Sequence, residues 1–201
     1  MHAGRPREFD RETALEAMVQ VFWERGFEST TKRDLMEATG LASQSLYNTF
    51  GGMEQMFQEA MAHYARTRHE QVRQMLHQPG SPLENLRQFV AMWSDLPDEF
   101  RRGCLLCNAS SQVDPQEPGP LSAFLADQLM EMHAMFRDSL TAARDAGEID
   151  QSVDIDAIAS TLVTAANGVA VQYRVDGPTT LIEGTVTGIL ALLDTLRSAS
   201  A

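Results

Sequence analysis

Residues 30–57 read TTKRDLMEATGLASQSLYNTFGGMEQMF, and the fold turns on this stretch. Leu35, Met36 and Ala38 stand before Thr39-Gly40-Leu41, and Leu46, Tyr47 and Phe50 stand after it. Two short segments with apolar faces therefore flank a turn. Glycine tolerates the left-handed backbone that ends a helix, so Gly40 is placed to stop the first segment. Ser43 offers a hydroxyl near the start of the second. The spacing predicts a helix-turn-helix, whose second helix enters the major groove of DNA, and then the start of a longer helix.

Upstream, residues 10–25 place Ala14, Leu15, Met18, Val21 and Phe22 on one helical face, with Trp23 beside it. Asp10 is the expected N-cap and Gly26 the stop. Phe27, Leu35 and Leu46 are expected to close a small three-helix core with Leu15 and Phe22. Before this lies a short basic arm, Gly4-Arg5-Pro6-Arg7. Downstream, residues 54–78 contain no helix breaker, with Met56, Phe57, Ala60, Met61 and Tyr64 on the buried side. Their far end is polar, and His63, His69 and His77 are read there as part of a solvated face.

Pro79-Gly80-Ser81-Pro82 breaks the pattern. Further helices are expected over 82–95, 103–113, 121–146, 154–175 and 179–198, with a proline-rich loop at 114–120. No alternating strand pattern appears. The expected fold is all-α: a helix-turn-helix DNA-binding domain over 1–57, then a helical ligand-binding and dimerisation bundle over 58–201. In the last two helices Ala159, Ala165, Ala166, Gly168, Ala170, Gly184, Gly188 and Ala191 permit close backbone approach. Ile155, Ile158, Leu162, Val163, Val169 and Val171 make the first of them apolar on more than one side. A second burial partner is needed, and a second copy of the same pair supplies it as a homodimer.

Composition bounds these readings. The chain has 201 residues, 43% hydrophobic and 22% charged, enough for a sizeable globular core. No apolar run suits a bilayer span or a signal peptide, so the cytoplasm is the expected compartment and no membrane is involved. The net charge is −12 and the isoelectric point about 4.7. Residues 1–60 carry six basic and ten acidic side chains. That balance opposes non-specific attraction to nucleic acid.

The chain resembles the TetR family of one-component transcriptional regulators. The match rests on Gly4-Arg5-Pro6-Arg7, Gly26-Phe27, Thr30-Thr31, Ala38-Thr39-Gly40-Leu41, Leu46-Tyr47-Asn48-Thr49-Phe50-Gly51 and residues 17–22 and 54–57. Gly103-Cys104-Leu105-Leu106 and Asn108-Ala109 resemble a segment in one branch of the family. The resemblance implies a homodimeric repressor, bound to double-stranded palindromic operator DNA and released by a small-molecule effector. It implies that Ser43, Gln44 and Ser45 face the groove, with Gln44 able to pair adenine. Thr31, Tyr47, Asn48 and Thr49 would hold phosphates, and Arg5 and Arg7 would reach the minor groove or backbone. The family commonly has a lysine where this chain has Met53, so weaker salt dependence is expected.

Phe89, Met92, Trp93, Phe100, Met132, Met135 and Phe136 are candidates to line an apolar effector pocket, and Asn108, Gln128, Asn167, Val171, Gln172 and Tyr173 lie near the same faces. Cys104-Leu105-Leu106-Cys107 puts two thiols on one helical face, a candidate dithiol switch. No second Cys-x-x-Cys exists, so no metal site is expected. There is no Gly-rich phosphate loop or ordered catalytic triad, so no catalytic residues and no cofactor are expected. Two alternatives stand beside the effector-controlled repressor. One is a redox-responsive regulator using Cys104 and Cys107. The other is an acidic helical dimer that binds a small molecule but has lost productive DNA binding.

Overall fold

The computed structural model describes residues 10–198, apart from Pro115, Pro118 and the side chain of Glu99. Arg5 and Arg7 lie outside these residues. The chain forms two compact units, residues 1–66 and 67–201. Among the described residues the secondary structure is helical, and the one extended pairing is an isolated bridge between Ile149 and Arg197.

The first unit contains α1 (Arg11–Arg25), α2 (Lys32–Thr39), α3 (Ser43–Phe50) and the beginning of α4 (Met53–Leu76). Asp10 caps α1 by accepting the Glu12 backbone N–H at 3.0 Å. Thr31 caps α2 in a reciprocal arrangement: its hydroxyl accepts the Asp34 N–H, and the Asp34 carboxylate accepts the Thr31 N–H at 2.9 Å. Gly40 ends α2 at φ 68°, and its N–H bonds Met36 O. α3 starts one residue earlier in its capping than the sequence suggests. Its N-cap is Ala42, which has no side-chain acceptor, so Ser43 is the first helical residue and caps nothing.

Leu15, Met18, Phe22, Leu35, Leu46, Met56 and Met61 form the centre of this unit, each under 2% exposed. Val19 is buried, and Val21, expected on the buried face, is half-buried. Phe57 meets Phe22 at 5.1 Å and Phe27 at 5.0 Å. Trp23 meets Tyr64 edge-on at 5.0 Å. This last contact carries the unit past the boundary expected after residue 57, because Ala60, Met61 and Tyr64 of α4 are buried in the head.

The second unit contains the end of α4, α5 (Pro82–Ala91), α6 (Leu105–Ala109), α7 (Pro120–Asp145), α8 (Ile155–Asp176) and α9 (Thr180–Thr195). The helix expected over 103–113 is not continuous: five residues of α6 give way to a 3-10 turn, Ser110–Gln112. The one expected over 82–95 ends as α-helix at Ala91 and tightens to 3-10 over Met92–Ser94. The core runs through Leu83, Leu86, Val90, Phe136, Leu140, Ala159, Leu162, Ile182 and Leu193. Tyr173 donates its hydroxyl to Leu96 O at 2.7 Å, fixing the Leu96-Pro97 corner against α8.

Candidate functional site

α3 carries the candidate reading surface. Leu46 and Phe50 are buried and anchor it, while Gln44, Tyr47 and Asn48 are exposed and Ser43, Ser45 and Thr49 are partly so. No residue of SQSLYNTF is charged. The acidic excess of the head therefore sits elsewhere, and part of it is spent internally. Asp34 pairs with Arg25 at 3.1 Å, Glu37 with Arg33 at 2.7 Å, and Glu59 with Arg11. Gln44 Nε2 donates to Asn48 Oδ1 at 3.1 Å, one turn along the same face.

Two expectations shift. The Thr31 hydroxyl donates to Asp34 Oδ2 at 2.7 Å, so it is engaged in the cap before any phosphate arrives. Lys32, overlooked in the sequence, is exposed and stands 5.9 Å over the Tyr47 ring. It is the first residue of α2, and folding brings it over the Tyr-bearing helix.

The second candidate site is a cavity of about 280 Å³ in the second unit. α7 contributes Leu125, Gln128, Leu129 and Met132, and α8 contributes Ala166, Asn167 and Val171. Cys104, Leu106, Cys107 and Ser110 form another wall, and His69 of α4 a further one. Gly103 explains how the thiols reach α8. At φ 74°, a Cβ on it would stand 3.2 Å from Ala170 O and 3.1 Å from Arg174 Cβ. Only glycine permits so close an approach with that backbone. Asn108 then ties α6 back, its amide donating to Arg102 O at 2.8 Å.

Cys107 Sγ donates to Asn167 Oδ1 at 3.0 Å. Its hydrogen bond with Cys104, and then burial, push the Cys107 thiol well above the usual thiol range. Cys107 is thereby kept as a thiol, its S–H held by Asn167 Oδ1. His69 is only 2% exposed, against the solvated face expected for it. Its Nδ1 lies 3.1 Å from Glu131 Oε2, but at an angle that leaves it without a hydrogen bond. Arg73 holds the same carboxylate. The signal was the helical spacing of His69 with Ala65, Val72 and Leu76, all buried.

Of the candidate pocket residues, Gln128, Met132, Asn167 and Val171 line the cavity. The others do not. Trp93, Met135 and Phe136 are core, and Phe89 packs on Trp93 and Phe136 with ring centres 5.8 and 5.9 Å apart. Met92 is half-exposed, and Phe100 lies under the Arg68 guanidinium at 4.4 Å. Among the described residues, no group of three or more His, Cys, Asp or Glu could hold a metal ion. None of the helices described is long and apolar enough to cross a membrane.

Residues 14–60 match the model of bacterial regulatory proteins of the tetR family, and residues 82–189 match the tetracyclin repressor-like C-terminal domain. The chain belongs to the TetR family. It is 33% identical over 159 residues to the HTH-type transcriptional regulator YezE of Bacillus subtilis, covering 78% of this chain and 81% of that one. It is 28% identical over 180 residues to the HTH-type transcriptional repressor ComR of Escherichia coli, covering 85% and 82%. A cysteine-substituted form of the TetR family regulator CifR, solved with a 26-base-pair operator, superposes with a TM-score of 0.80. It is 29% identical, over 96% of this chain and 100% of that one. A TetR family regulator from Cytophaga hutchinsonii superposes at 0.83 with 18% identity, which speaks for the fold. The protein is thus a DNA-binding transcriptional regulator, and as a TetR family member it is not an enzyme.

Proposed function

We propose that the chain is a homodimeric repressor that leaves a palindromic operator when a small hydrophobic effector fills the cavity of the second unit. The observation that carries this reading is the double use of α8. One side of it supplies Ala166, Asn167 and Val171 to the cavity. Another presents Thr161, Thr164, Gly168 and Val175 at spacings of three, four and seven, exposed apart from the half-buried Gly168. α9 repeats the pattern with Leu181, Gly184, Gly188, Ala191 and Thr195, all exposed. A Cβ added to Gly168, Gly184 or Gly188 would meet nothing within 4 Å. These glycines have no packing role within one subunit, which is the reason to assign them to contact with a second copy. Thr161 and Thr164 donate their hydroxyls to Ala157 O and Ser160 O, so the stripe can become dry without orphaning them. An occupant of the cavity would therefore press on the helix that joins the two subunits, and through it alter the spacing of the reading heads.

On this reading Gln44 reaches base edges, and Ser43, Ser45, Tyr47, Asn48 and Thr49 set register on the phosphates, joined by Lys32. Selection of bound duplexes from a random DNA pool tests it: two inverted half-sites about one helical turn apart are expected. Failure to enrich any sequence would leave the acidic dimer without DNA binding as the better description. A second reading is favoured by the contact of Cys104 with Cys107 in the cavity wall. An oxidant such as peroxide would join the two sulfurs, with loss of both thiol hydrogens. Thiol titration before and after peroxide separates it from non-covalent effector control.

A further inference from the structure

We propose that the cavity captures a small apolar enone, an α,β-unsaturated carbonyl compound, by covalent addition to Cys104. This deepens the effector reading above and rests on it. Three features of the wall meet the three parts of such a molecule. Leu106, Leu125, Met132 and Val171 offer an apolar surface for its hydrocarbon. The cavity, at about 280 Å³, lies just below the roughly 300 to 1,000 Å³ of drug-sized ligand sites, which suits a small molecule. The Cys104–Cys107 pair offers a soft nucleophile for its β-carbon. His69, buried and with Nδ1 unsatisfied, offers a polar group to its oxygen in a wall otherwise built from few polar atoms.

The chemistry balances without an oxidant. Cys104 loses its thiol proton to water, and the Cys107 S–H turns toward the thiolate. A sulfur electron pair forms the S–C bond at the β-carbon as the C=C π bond breaks. The displaced pair settles on the carbonyl oxygen as an enolate, where the His69 imidazole donates a hydrogen bond. A proton from water then returns to the α-carbon. Nothing leaves and nothing is reduced, so the protein gains the whole mass of the enone. Once Cys104 is a thioether, the single Cys107 proton is left to Asn167, 3.0 Å away on α8. The adduct thereby changes the contacts of that helix.

The test uses the full chain and 2-cyclohexen-1-one, with saturated cyclohexanone as control, followed by intact mass and peptide mapping. One adduct per chain is expected, on Cys104, forming roughly tenfold faster than with glutathione at neutral pH. Cys104→Ser abolishes it, Cys107→Ser keeps it on Cys104 at a lower rate, and His69→Leu slows it several-fold. A rate no faster than that of glutathione, or a first adduct on Cys107, overturns the proposal. These wild-type outcomes stand even if a variant fails to fold. The adduct is also expected to weaken operator binding at least tenfold. A Cys104 adduct that leaves operator affinity unchanged overturns the enone as effector, while repression controlled by a non-covalent ligand remains open. Failure to select any operator removes the regulator reading without touching the mass result.

Discussion

On the proposed reading, Gln44 and Lys32 divide the labour of a DNA-reading head. Gln44 is exposed and uncharged on α3, so it can discriminate bases but adds nothing to the phosphate term. Replacing it with alanine should relax preference at one base pair by about 1–3 kcal/mol while leaving the salt dependence alone. Replacing Lys32 with alanine should do the opposite: a uniform loss across sequences and a salt slope shallower by about 0.9. Titrations of a selected operator and a one-base variant at several salt concentrations measure both. Equal losses on the two duplexes for Gln44→Ala would refute the base-reading role. Gly40 belongs to the same scale. Its φ of 68° suits glycine, so Gly40→Ala should cost about 1–2 kcal/mol in a thermal or denaturant melt, although an added Cβ finds open space. Gly40 was legible from sequence because a backbone requirement is local. Lys32 was not, because only folding brings it over Tyr47.

Helix starts are the next level, and in the head the caps of α1 and α2 both engage a carboxylate. Hydrogen bonds from the Thr31 hydroxyl and N–H hold Asp34 below the ordinary carboxylate range. The Thr13 hydroxyl and the Glu12 N–H do the same for Asp10. Both folded-state pKa values lie below the unfolded ones. Their stabilisation is therefore fully present above the unfolded value, near 4, and is lost as pH falls through the folded value. Circular dichroism should show α1 and α2 holding from neutrality down to about pH 4 and fraying below it. A helical transition near pH 6 would assign the head's pH response to histidine instead. Thr31→Ala should remove about 1 kcal/mol from the same unit, read as a lower melting midpoint. Caps at Asp10, Gly26 and Gly40 made α1 and α2 legible. α6 was misjudged, because apolar content over 103–113 reports burial but not helical continuity, and the break at Ser110 has no Gly or Pro to announce it.

At the level of the whole molecule, the exposed stripes of α8 and α9 make a dimer prediction that spares the fold. A Cβ added at the exposed Gly188 meets nothing within 4 Å in a single subunit, so Gly188→Glu should leave secondary structure in place. Two such charges brought together in a dry seam should shift sedimentation from dimer to monomer and weaken operator binding. A variant that still sediments as a dimer would move the interface elsewhere. The sequence by itself determined the helical class, the helix-turn-helix, the caps and the small-residue helix pair. Each is set by periodicity or backbone tolerance within a few residues. It did not determine the cavity. Phe89, Trp93, Met135 and Phe136 carry the same apolar signature as true lining residues, and only packing sorted them into core. His69 likewise became a buried wall group only through the packing around it. The Cys-x-x-Cys that opened the question of a thiol switch gained its meaning only when Gly103 let the chain pass close to α8. Apolarity says that a side chain leaves water; which void it borders depends on what arrives opposite, and that is a property of the tertiary structure.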